Sequence, residues 1–225
     1  MARDGWPDAR TSFICGMVVG PFYLAVGLAQ AFLRDGFDLG RHSLSALANG
    51  PGGWVQTANF VLSGLMVIIA AVGIRRALRP RARASGWFLG WFGVSMLVAA
   101  VFPADPVDGF PPGTPEGFPT TMSTPGIIHF AAGASGFLAL AVSCVVVAVA
   151  MSRRGETWMA RLSLVAGFSI VAGFMAPAFL PAAGPVAGIW FAVVVGWAWL
   201  AATSARLYRE ASAGGTEDPS VSALA

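Results

Sequence analysis

Lysine is missing from this chain: all 14 basic residues are arginine, and only 11% of the 225 residues are charged. That is too little charge for a water-exposed domain of this length. Histidine and cysteine number two each, which excludes a His- or Cys-rich metal module and a disulfide framework. No long polar segment is present to fold on its own, since the longest connection between apolar stretches is residues 103–126. Whatever the chain does is therefore done inside its apolar part or at that part's two surfaces.

What the chain has is hydrophobicity, with 56% apolar residues and a mean hydropathy of +0.69. The apolar residues fall into runs near the roughly 20 residues that cross about 30 Å of hydrocarbon as helix. Six runs are predicted, at 13–33, 54–74, 86–102, 127–150, 160–180 and 185–205. The expected fold class is an all-α membrane protein, a bundle of six transmembrane helices. It is preceded by a leader at 1–12 and followed by a disordered tail at 206–225, polar and rich in Ser, Ala and Gly. The first run follows a charged leader and lacks a small-x-small cleavage site before polar sequence, so it reads as a retained helix. The Pro/Gly cluster Pro181 to Gly184 predicts a tight hairpin between the last two spans.

Arginine orients the bundle. With six spans, one side carries Arg3, Arg10, Arg75, Arg76, Arg79, Arg81, Arg83, Arg153, Arg154, Arg161, Arg206 and Arg209, and the other only Arg34 and Arg41. The positive-inside rule then predicts both termini in the cytoplasm, in the cell (inner) membrane. Dispersal of the basic residues over short loops accounts for the net charge of +3 and pI near 9.5 without a nucleic-acid partner. The cluster Arg75 to Arg83 can also attract anionic headgroups. Cys15 and Cys144 read as buried free thiols, and Trp54, Trp87, Trp158 and Trp190, near span ends, as interfacial anchors.

Helical spacing shows which faces turn inward. Gly16, Gly20, Tyr23, Gly27 and Gln30 form one stripe of small and polar residues in the first span. Gln56, Asn59 and Ser63 form a polar stripe in the second, His129, Gly133, Gly136, Leu140 and Ser143 a stripe in the fourth, and Gly188, Ala192, Gly196, Trp199 and Thr203 one in the sixth. Small residues let helix backbones approach closely in lipid. Both histidines and several polar groups converge on the arginine-poor side: Gln30, His42, Ser43, Ser45, Asn49, Gln56, Asn59, Asp105 and His129. Polar side chains at membrane depth are costly unless paired or wet, so an outward-facing polar pocket is expected from His129, Asp105, Asn59, Gln56, His42 and Ser45. Its expected ligand is a small molecule or a lipid headgroup on the extracytoplasmic side. The bilayer itself is the expected partner, and no cofactor is called for by any motif.

The run Ser43, Leu44, Ser45, Ala46, Leu47, then Gly53, Trp54, Val55, Gln56 with Asn59, Phe60 and Gly64, resembles the bacterial membrane family known as domain of unknown function 998. So does Phe102, Pro103, Ala104, Asp105, Pro106 ahead of a histidine-bearing fourth helix. The resemblance spans residues 13 to 205. It implies a six-helix bacterial membrane protein and assigns no activity.

A more distant likeness is to zinc-dependent membrane hydrolases of the alkaline ceramidase and adiponectin-receptor type. It is carried by Ser45, Asp105 and His129, and would need zinc held by His42, Asp105 and His129 with an open position for water. Six spans, two histidines and no late His-x-x-x-His pair depart from that pattern. A metal-free serine hydrolase lacks a nucleophile elbow around Ser43 or Ser45. Transport is favoured by Pro21, Pro177 and Pro181 and disfavoured by the absence of an internal repeat; an accessory subunit binding through glycine faces is a further alternative. The proline-rich connection from Pro103 to Pro125 is expected to be irregular, and either caps the pocket or lies solvated with Phe110 and Phe118 exposed.

Overall fold

The computed structural model describes residues 8–79, 82–179 and 186–213, and within these it is helical. Six helices follow in order: α1 Ala9–Leu33, α2 Gly53–Ala77, α3 Arg83–Val101, α4 Thr124–Ser152, α5 Thr157–Phe179 and α6 Ala187–Ala213. Each is long and apolar enough to cross a membrane. A 3₁₀ turn, Leu44–Ala48, lies between α1 and α2.

Local chemistry marks the helix starts. Asp8 caps α1, its carboxylate accepting from the Thr11 N–H at 2.7 Å. Ser123 caps α4, accepting from the Gly126 N–H at 3.1 Å, with Pro125 in the first turn where its missing N–H is no loss. Gly52, at φ +83°, turns the chain into α2 in the left-handed region that glycine tolerates.

Each helix packs against its neighbours in sequence, and α1 closes on α6, so the six form a ring. The ring's surface carries Phe32, Leu33, Leu138, Val165 and Phe168, all exposed, a distribution that suits lipid and not water. Trp54, Trp87 and Trp158 are exposed at helix ends, as interfacial anchors are. Trp190 differs: it is half-buried and its ring faces the inside of the ring of helices. Cys15 and Cys144 are free thiols, the second buried and the first partly exposed.

The helices begin and end within a few residues of the predicted spans, with larger extensions at the arginine-rich end. The largest is in α6, which runs on through Ala213, so residues 206–213, expected in a disordered tail, are helical. Ion pairing explains the extension. Arg206 binds Glu156 through two hydrogen bonds of 2.8 and 2.9 Å, Arg154 reaches Glu210 and the Ala77 carbonyl, and Leu207 is buried. These contacts tie α6 to the α4–α5 turn and to the end of α2. The leader and tail outside 8–213, and the hairpin expected at Pro181 to Gly184, lie outside the described residues.

The stripes read from the sequence face inward. Gly16, Gly20, Tyr23, Gly27 and Gln30 are all buried on α1, as are Gln56, Asn59 and Ser63 on α2 and Ala192, Gly196, Trp199 and Thr203 on α6. Toward the arginine-rich end the interior is closed by packing and by paired polar groups. The Trp199 indole donates to Ser163 Oγ at 3.0 Å and Ser143 Oγ to the Ser85 carbonyl at 3.1 Å.

Candidate functional site

The ring of helices does not close at the arginine-poor end. A cavity of about 440 Å³ enters there and runs down the middle of the bundle, within the size range of small-molecule sites. All six helices contribute to its wall. Tyr23 comes from α1, Phe60 from α2, Phe92, Ser95, Met96 and Ala99 from α3, and Phe174 from α5. Helix α4 presents Gly126, His129, Phe130, Gly133, Phe137 and Leu140; α6 presents Ile189, Trp190, Val193, Gly196 and Trp197. On α6 these fall three, four and seven residues apart, so one helical stripe forms this side of the wall. At about 1.5 Å per residue, Trp197 lies roughly 16 Å below Val186 at the mouth.

Aromatic rings hold the deep wall in place. Trp197 packs on Tyr23 and Phe92 with centroids 5.4 and 5.6 Å apart, and Phe137 packs on Phe174 at 5.5 Å. A Cβ added to Gly20 would fall 2.6 Å from the Trp197 Cβ, so only glycine lets α1 approach α6 at this level. Gly133 is the opposite case: a Cβ there meets nothing within 4 Å, because it faces the cavity.

The charged groups and most of the polar ones gather at the mouth; Ser95, lower down, donates its hydroxyl to the Phe92 carbonyl at 2.7 Å. Arg41, Ser43, Ser45, Asp105 and His129 line the mouth together with Phe118, Pro119 and Met122 from the proline-rich connection. His129 Nδ1 is 2.8 Å from the Phe102 carbonyl. A nitrogen facing a carbonyl must carry the proton, which leaves Nε2 of the neutral ring as an acceptor. Phe60 meets the ring edge-on at 6.1 Å. Asp105 accepts from the Ser123 N–H at 3.0 Å and from the Ser123 hydroxyl, setting its charge on the start of α4, where the helix dipole favours it. Ser43 and Ser45 bond each other at 2.8 Å.

Of the residues singled out from sequence, Ser45, Asp105 and His129 meet on this cavity. Gln56, Asn59 and His42 do not line it. Gln56 and Asn59 are buried between α1 and α2, where Gln30 donates to Gln56 Oε1 at 3.0 Å and Asn59 to the Tyr23 carbonyl and Gln56 Oε1 at 3.1 and 3.2 Å. His42 is 1% exposed. Its Nδ1 accepts from the Asp38 N–H at 3.0 Å and its Nε2 donates to the Asp108 carbonyl at 3.0 Å, so both nitrogens are engaged in joining two loops. Among the described residues no three His, Cys, Asp or Glu side chains gather as a metal ion would require, and the set His42, Asp105, His129 is divided between the loop layer and the cavity mouth.

That loop layer has its own small core. Phe110 is fully buried against Phe37 and His42, with Arg34 over its face at 5.0 Å. Arg34 also donates to the carbonyls of Leu47 and Asn49, and its burial lowers its pKa. The proline-rich connection is thus anchored at Phe110, while Phe118, 69% exposed, and Met122 stand at the rim. Arg41 clamps it from the other loop through two hydrogen bonds to Asp108, of 2.9 and 2.8 Å, and a contact to Glu116. The pair shifts both groups. The Arg41 hydrogen bond, aided by the Gly117 N–H, holds the Asp108 carboxyl well below the usual carboxylate range, and Asp108 and Glu116 push the Arg41 pKa up.

Sequence reasoning missed Tyr23, Phe92, Trp190 and Trp197 as cavity residues. The signal available was the seven-residue spacing of the two tryptophans on α6, which places them on one face. The chain belongs to the family Protein of unknown function (DUF998), whose profile matches residues 17–206, nearly the whole six-helix ring. No curated protein and no solved structure matches it.

Proposed function

We propose that this chain is a multi-pass protein of the bacterial inner membrane, with both termini in the cytoplasm, that binds a small amphipathic molecule in the central cavity. Its orientation rests on the arginine partition, which sets the cavity mouth on the extracytoplasmic side. The observation that carries the binding reading is the gradient along the cavity. Arg41, Ser43, Ser45, Asp105 and His129 stand at the mouth, and Phe92, Phe137, Leu140 and Trp197 stand below. A ligand with an apolar body and a polar head, such as a lipid or a lipid-like small molecule, matches both ends. His129 Nε2 would accept a hydrogen bond from that head.

Cavity filling tests this reading. Gly133→Phe projects a ring into the cavity from a position where a Cβ meets nothing. With dodecan-1-ol as probe in micelles, binding to the folded state raises the thermal midpoint of the wild type and leaves that of Gly133→Phe unmoved. Equal shifts in both proteins refute binding in the cavity.

A further inference from the structure

The arginines at the end of the bundle opposite the cavity mouth are of two kinds. Arg154 and Arg206 meet Glu210 and Glu156. Arg75 and Arg76 close α2, Arg79 follows it and Arg83 opens α3; among the described residues no hydrogen bond or ion pair joins any of these four side chains to an acid. The charges that act on Arg75 are those of Arg79, Arg83 and Arg76, and like charges held together repel unless an anion lies among them. Membrane orientation calls for arginine on this side, but not for four on one turn. Packing keeps them there. A Cβ on Gly86 of α3 would fall 2.4 Å from the Arg75 Cβ, so the two helices touch at this level, and the Arg75 guanidinium lies over the Trp87 ring, 4.4 Å from its centroid. Arg76, Arg79 and Arg83 are exposed. Unlike α1 and α4, α3 begins with no side-chain cap and with no acid in its first turn, so the positive end of its dipole adds to charge of the same sign.

We propose that the α2–α3 turn binds the headgroup of an anionic phospholipid, with its phosphate set among Arg75, Arg79 and Arg83. Guanidinium groups and a helix start both receive phosphate well. The surface next to the turn suits the rest of a lipid. Trp87, Trp91 and Val94 fall four and three residues apart on α3 and all are exposed, so an apolar stripe leads from the arginines along one face of the helix. Acyl chains lie against such a stripe, whereas a free phosphate makes no use of it. A headgroup with its own ammonium, as in phosphatidylcholine, would bring a fifth positive charge to four. The class is thus a phospholipid of net negative charge, such as phosphatidylglycerol. None of these residues lines the central cavity, so the site stands or falls independently of what the cavity binds.

Native mass spectrometry of the full-length protein in mild detergent tests the site, with dioleoylphosphatidylglycerol and dioleoylphosphatidylcholine titrated separately. The wild type is expected to bind phosphatidylglycerol about fivefold more tightly, the worth of one charge beside a membrane surface. Arg79→Gln and Arg83→Gln, both at exposed positions, are each expected to weaken phosphatidylglycerol binding about fivefold and to leave phosphatidylcholine binding within about twofold. Arg161→Gln removes an exposed charge from the same end of the bundle, on α5, and is expected to change neither lipid by more than about twofold. Equal binding of the two lipids by the wild type, or an equal loss of phosphatidylglycerol in Arg161→Gln and Arg83→Gln, overturns the site. Glycerol 3-phosphate carries the phosphate without the chains; if it displaces phosphatidylglycerol at equal concentration, the ligand is a free phosphate and the lipid is overturned. The wild-type comparison of the two lipids needs no variant, so it decides whether or not a variant folds.

Discussion

The Cβ of Trp197 faces the bare Cα of Gly20 across the α1–α6 contact, so closely that a methyl group at Gly20 would sit 2.6 Å from it. This contact closes the ring of helices at the depth where the cavity ends. Gly20→Ala should therefore push α1 and α6 apart and cost about 1–3 kcal/mol, as overpacking does. Gly133→Ala serves as the control, since its Cβ meets open space and a helical alanine is favoured over glycine by about 1 kcal/mol. Thermal midpoints of the two variants should move in opposite directions; a neutral Gly20→Ala would contradict the closure at Trp197.

The clamp between Arg41 and Asp108 should respond to acid in a defined way. Because the folded-state pKa of Asp108 is depressed, its stabilising effect is present above the unfolded carboxylate value of about 3.9 and is lost as pH falls through the lower folded value. Asp108→Asn keeps a residue that tolerates the φ of +52° and removes the charge together with one of the two oxygens that accept from Arg41. Amide hydrogen exchange over residues 103–123, compared at each pH with intrinsic rates corrected, should be faster in the variant by a constant factor from pH 7 to pH 5. That factor should shrink only below about pH 3.9. A difference that vanishes between pH 7 and pH 5 would show that the ion pair does not hold the loop.

Orientation is open to a separate check. Thr120 is exposed on the proline-rich connection, so Thr120→Cys should react with a membrane-impermeant maleimide in intact cells. The wild type, whose Cys144 is buried and whose Cys15 lies within α1, supplies the background. Labelling only after lysis would invert the topology.

The number, order and approximate extent of the helices were legible because a membrane span is written in composition and length, and the inward stripes because glycine and polar residues recur at helical spacing. Gly20 and Tyr23 on α1 were read correctly as inward-facing. What was not legible was which inward residues share a space. Gln56 and Asn59 sit at the right membrane depth but turn into the α1–α2 contact, where Gln30 and the Tyr23 carbonyl receive them. His42 and Phe110, far apart in sequence, pack together because two loops fold over each other. Trp190 looks like an interfacial anchor from its place near a helix end, and only the closure of α6 against α1 turns it inward. The extension of α6 depended on Arg206 meeting Glu156 across 50 positions, a pairing that helical periodicity does not carry.

The central claim, that the cavity holds a ligand, is tested most directly by native mass spectrometry of the protein released from its own membrane in mild detergent. The wild type should carry a bound mass of a lipid-like molecule that Gly133→Phe, purified in the same way, lacks. The same bound masses on both proteins would place any ligand outside the cavity and contradict the account.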